Sequence, residues 1–123
     1  LSRLFGAKKP SAATSGPSPE QAVLISITLA DQWPTPEETQ RWHAFQDELA
    51  AAIKKARAGE LDGDEWGEGT CTIYMYGPNA DALWEAIEGV IAERPIPAGS
   101  YAIKRYGGPD CDRQERISIE WAG

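Results

Sequence analysis

Five carboxylates crowd into residues 59–79, GELDGDEWGEGTCTIYMYGPN: Glu60, Asp62, Asp64, Glu65 and Glu68. Glu60, Asp62 and Asp64 stand at positions 1, 3 and 5 of a calcium-loop spacing, where oxygen ligands gather round a hard cation. Such a loop needs a glycine at position 6 and a bidentate glutamate at position 12. This chain has Glu65 and Cys71 there, so the motif fails twice. On a strand, alternation would put the three carboxylates on one face, a weak hard-cation site at best. No metal is expected. The charges read instead as those of an edge strand that cannot pair with another chain.

Nucleophiles and acid–base groups are few. His43 is the only histidine, and no second His, Cys or Asp is spaced to match it, so it reads as a surface residue. Cys71 falls on the apolar side of an alternating run and reads as a small core hydrophobe. Cys111 lies between Asp110 and Asp112, which oppose thiolate formation and so argue against a nucleophile. There is no phosphate-binding glycine loop, nucleophile elbow or metal-spaced Cys/His cluster. No cofactor is expected, and catalysis is less expected than binding.

The binding candidate is a sheet face. In residues 70–76, Cys71, Ile73 and Met75 alternate with Thr72, Tyr74 and Tyr76, so one set faces a core and the other faces away. If Tyr101, Ile103 and Arg105 take the core side of a later strand, then Ala102, Lys104 and Tyr106 join the open face. Ser26, Thr28, Ser118 and Glu120 join it from two others. Three tyrosines on one face suit protein recognition, because a tyrosine offers contact area and a hydrogen bond at low entropic cost. The expected binding set is Thr72, Tyr74, Tyr76, Lys104, Tyr106 and Glu120.

The elements that must position these residues follow from periodicity. Residues 23–29 alternate as a strand, with Val23, Ile25, Ile27 and Leu29 on one side. Thr35-Pro36-Glu37-Glu38 opens a helix with an N-cap, a proline at the first turn and a capping box. Trp42, Phe45, Leu49, Ile53 and Ala56 then form one apolar stripe, and Gly59 is expected to end the helix. Residues 60–66 are expected to turn at Gly67-Glu68-Gly69 into the tyrosine strand. Asn79 caps a second helix whose buried stripe is Leu83, Ile87 and Val90, flanked by Trp84 and Ile91. Pro95 and Pro97 stop it. Strands follow at residues 100–106 and 116–121. The order β-α-β-β-α-β-β is an α+β plan, the ferredoxin-like split βαβ sandwich with one extra C-terminal strand. Each helix has a single apolar stripe, so both must lie on one face of an antiparallel sheet.

Composition bounds the rest. The 123 residues suffice for one domain, and 41% hydrophobic with 25% charged is an ordinary globular balance. Residues 1–20 are rich in Pro, Ser and Ala and read as a flexible tail or linker, leaving residues 21–123 as the domain. Leu1, Leu4 and Phe5 with Arg3, Lys8 and Lys9 would make only one basic amphipathic turn, too little for stable membrane binding. Net charge is −7, unevenly spread: the first ten residues carry +3, while nine bases against nineteen acids leave the other 113 at −10. A body so acidic repels phosphate backbones, so nucleic acid is not the expected partner. No apolar run approaches the ~20 residues of a membrane span. Two cysteines forty residues apart and no signal-peptide core point to a reduced, cytoplasmic protein.

Three segments, Leu61-Asp62-Gly63-Asp64-Glu65-Trp66-Gly67, Tyr74-Met75-Tyr76-Gly77-Pro78-Asn79-Ala80-Asp81-Ala82-Leu83 and Arg105-Tyr106-Gly107, occur in an order that resembles a family of small bacterial ferredoxin-like proteins. The resemblance covers about a fifth of the chain. It implies the fold and carries no activity. The expected function is a non-enzymatic interaction module, of adaptor or immunity type, binding itself or another protein through the open sheet face. The alternative is a dimeric α+β barrel that binds or turns over a small ligand between two open faces, with Tyr74, Lys104 and Glu120 as acid–base groups.

Overall fold

The computed structural model describes residues 20–121. Of the expected tail, all but Glu20 lies outside the described residues. The elements are β1 (Gln21–Thr28), α1 (Pro36–Ala56), β2 (Glu60–Gly67), β3 (Thr70–Gly77), α2 (Ala80–Ala92), β4 (Tyr101–Arg105) and β5 (Gln114–Ser118). They form a five-stranded sheet in the order β2-β3-β1-β4-β5, with every neighbouring pair antiparallel. This is the α+β, ferredoxin-like arrangement, with β5 added outside β4.

Local chemistry explains where the helices begin. Thr35 Oγ1 accepts from the Glu38 N–H at 3.0 Å, and Glu38 Oε1 accepts from the Thr35 N–H at 2.9 Å. Glu38 Oε2 also takes the Ala30 N–H, so one carboxylate satisfies two backbone donors. These bonds, that from Thr35 foremost, hold the Glu38 carboxyl below the usual carboxylate range. The helix ends on Arg57, which adopts the left-handed conformation at φ 55. The expected terminator, Gly59, instead lies two residues beyond, at φ +148. Asn79 caps α2 by accepting the N–H groups of Asp81 and Ala82, while the Ala80 N–H goes to Gln21 Oε1 at 2.8 Å. The β2–β3 turn is the two-residue Glu68-Gly69, both at positive φ, as a type I′ hairpin requires.

Both helices bury their stripes on one side of the sheet. Trp42, Phe45, Leu49 and Ile53 of α1 meet Leu83, Ile87 and Ile91 of α2 over Val23, Ile25, Ile27, Cys71, Ile73, Met75 and Ala102. Ile91 takes the buried place expected of Val90, which is only half-buried, and Ala56 is exposed.

The strand register corrects one expectation. Ala102 lies opposite Ile25 and Lys104 opposite Val23, so the even-numbered residues of β4 share the helix side. Tyr101, Ile103 and Arg105 occupy the open side. The sequence alternates apolar and polar weakly here, and the larger apolar residues Tyr101 and Ile103 suggested the core. The space beneath α2 instead admits a small side chain, and Ala102 is fully buried. The last strand also starts and stops earlier than expected. Past Ser118 the chain peels away, and Trp121 gives its N–H to Ile96 at 2.9 Å.

Candidate functional site

Successive rows of the register spell out the open face. One row runs Glu60–Tyr76–Ala22–Arg105–Gln114, the next Gly63–Tyr74–Leu24–Ile103–Arg116, the third Glu65–Thr72–Ser26–Tyr101–Ser118. Among the described residues no helix lies on this side. The middle of the face is aliphatic, Leu24 beside Ile103, with tyrosines on both flanks. Tyr74 donates to Glu65 Oε1 at 2.7 Å. The Arg116 guanidinium stacks 3.7 Å from the Tyr101 ring centre, and Arg105 Nε donates to the Gly107 carbonyl. The face is thus acidic along β2 and basic along β4 and β5.

Thr72, Tyr74 and Tyr76 stand where the alternation placed them. Lys104 and Tyr106 do not. They lie on the helix side, where Lys104 Nζ sits 2.9 Å from Asp81 Oδ1 and 3.3 Å from Glu115 Oε1. Tyr106 gives its proton to Asp81 at 2.7 Å, and Arg113 covers its ring at 4.5 Å. The Tyr106 and then the Lys104 hydrogen bonds hold Asp81 below the usual carboxylate range. The same carboxylate pushes Lys104 and Tyr106 up, so both keep their protons near neutral pH. Glu120 lies past the end of β5, where its carboxylate accepts the Gly99 N–H at 2.9 Å. The proposed acid–base trio of Tyr74, Lys104 and Glu120 is therefore not assembled: the sheet separates the first two, and the third closes a loop.

Asp81 has a depressed pKa, so its contribution to stability is present above the unfolded carboxylate value near 3.9 and fades as pH falls below it. Asp81→Asn should lower the melting temperature at pH 7, with the gap to the parent closing towards pH 3. A gap that persists at pH 3 would assign the loss to packing.

The acidic hairpin is also rearranged. β2 carries a bulge between Leu61 and Gly63, which breaks the alternation. Glu60 remains on the open side, level with Tyr76, whereas Asp64 is opposite Ile73 on the helix side. There Asp64 Oδ2 accepts from Gln46 Nε2 at 2.6 Å and lies 3.5 Å from His43 Nε2. His43 also sets its ring edge-on against Trp66. This cluster ties α1 to the edge strand. The three carboxylates do not share a face, and among the described residues no group of three or more His, Cys, Asp or Glu could hold a metal.

Both cysteines are unpaired. Burial, and then the nearby Asp64 carboxylate, pushes the Cys71 thiol up to about 12. A thiol reagent at pH 8 should titrate Cys111 alone in the folded protein, and both thiols in urea. Two fast-reacting thiols in the folded chain would show that β3 opens readily.

A second surface was not read from the sequence. Because β5 extends the sheet beyond the helix layer, its helix side is left open beside α2. Trp84, Ile91, Ile117, Ile119 and Trp121 line a groove of about 460 Å³ there, together with Glu88 and Glu120. The sequence signals were Trp84 and Ile91, flanking the expected stripe of α2, and the alternation of Ile117, Ile119 and Trp121; what the sequence did not show was that these meet.

The fold and its face thus define a class, an α+β sandwich with a tyrosine- and arginine-bearing sheet surface. No family model, no curated protein and no solved structure matches the chain.

Proposed function

We propose that the chain is a non-enzymatic interaction module that grips a protein partner with the open face of its sheet. The observation that carries this is the row Tyr74–Leu24–Ile103–Arg116, flanked by Tyr76, Tyr101 and Arg105. Tyrosine and arginine around an aliphatic centre is the composition of interface cores and their energetic anchors. The adaptor or immunity-type role is an analogy with other small acidic modules, since a fold alone does not set a function. A charge of −10 over residues 11–123 argues for protein rather than nucleic acid. Two unpaired cysteines suit a reducing compartment such as the cytoplasm.

The test compares two charged substitutions, one on each side of the sheet. Ile103→Glu should stay folded by circular dichroism and lose about 2 kcal/mol or more of binding to whatever the immobilised full chain retains, or to itself. Trp84→Glu, in the groove beside α2, should keep that binding. Should Ile103→Glu fail to fold, Thr72→Arg at the half-buried flank takes its place. A folded open-face variant that retains every partner removes the face from consideration.

A further inference from the structure

Resting on that reading, we infer that the partner of the open face is a second copy of this chain, turned about a two-fold axis that runs along β1. The rows of the register make the face complementary to itself. An axis along the central strand keeps each row at its own level and exchanges β2 with β5 and β3 with β4. Leu24 then meets Leu24 on the axis, and Tyr74 meets Ile103 twice. Tyr76 lies over Arg105, a pairing in which a guanidinium is held by an aromatic face. Arg116 falls over Gly63, and any Cβ at Gly63 would have nothing within 4 Å, so there is room for the guanidinium. The rows on either side of Gly63 carry Glu60 and Glu65. Arg116 of each copy therefore lands between two carboxylates of the other.

This is the isologous pattern that a closed dimer requires, with an apolar centre and unlike charges at both ends. Aligned sheets pack about 10 Å apart and about 30° from parallel, which preserves the correspondence near the axis. Other symmetries fare worse. An in-plane axis perpendicular to the strands would set β2 against β2 and β5 against β5, acid on acid and arginine on arginine.

A charge exchange tests the geometry in the full chain. The parent should sediment at twice the chain mass. Arg116→Glu alone, and Glu60→Arg with Glu65→Arg alone, should each weaken self-association by about 100-fold, because like charges then face each other at both ends. Mixed one to one, the two variants should recover a dimer containing one of each, since every contact is again between unlike charges. A parent chain that stays monomeric to about 1 mM, the weak end of the affinity scale, overturns the second copy. It leaves the interaction reading to the Ile103→Glu comparison. A dimer that ignores both charge variants, or a mixture that fails to re-form one, also overturns it.

Discussion

Gly59→Ala should cost about 3 kcal/mol or more, lowering the melting temperature by roughly 12–24 °C for a domain of this size. Gly59 sits at φ +148, a conformation that side chains rarely adopt. A methyl group there would run into the Tyr76 carbonyl oxygen and stand 2.9 Å from the Gly77 Cα. Both neighbours are backbone and cannot rotate away. The converse holds at Gly77, where a methyl group would strike the Ala58 carbonyl oxygen. The two glycines let the start of β2 press against the end of β3, so the loss combines backbone strain with a broken strand junction. Gly63→Ala is the control. It meets nothing within 4 Å and should change stability by no more than about 0.5 kcal/mol. Thermal melts of the three proteins decide the matter. Equal melting temperatures for Gly59→Ala and Gly63→Ala would mean the junction relaxes.

Phe45→Ala should remove about 3–5 kcal/mol, much of the stability of a domain whose total is roughly 5–15 kcal/mol. Phe45 is fully buried on α1. Its ring meets Trp42 edge-on at 5.5 Å, and the Arg94 guanidinium lies 5.6 Å from its centre. Arg94 also pairs with Glu48, so the ring stands under a guanidinium that links α1 to the residues after α2. Truncation leaves a cavity bounded by elements that the sheet holds apart, which limits collapse. Urea titration followed by circular dichroism measures the loss, and a value under about 1 kcal/mol would mean that the two helices close over the hole. Phe45→Leu keeps most of the volume and should cost less than half as much.

Residue patterns specified the helices of this protein almost fully. A capping box, a proline at the first turn and an unbroken stripe from Trp42 to Ile53 each act within a few residues, so they can be read without the fold. The β3 alternation is equally local: Cys71, Ile73 and Met75 are all fully buried, as the pattern required. The element order then leaves few ways to cover one sheet face with two amphipathic helices, and the antiparallel α+β sandwich follows.

Tertiary structure alone decided which side of β4 faces the helices. That choice depends on the register with β1, where Ala102 meets Ile25, and on an acceptor at α2 for Lys104, the Asp81 carboxylate 23 residues away in the chain. A strand with weak alternation carries no local preference large enough to settle it. The bulge at Leu61/Gly63 belongs to the same class, since an extra residue in β2 exists only relative to β3. So does the candidate site. The sequence determined that two tyrosines of β3 point away from the core. Only the pairing of five strands, through hydrogen bonds between residues far apart in the chain, set Leu24, Ile103, Arg105 and Arg116 beside them.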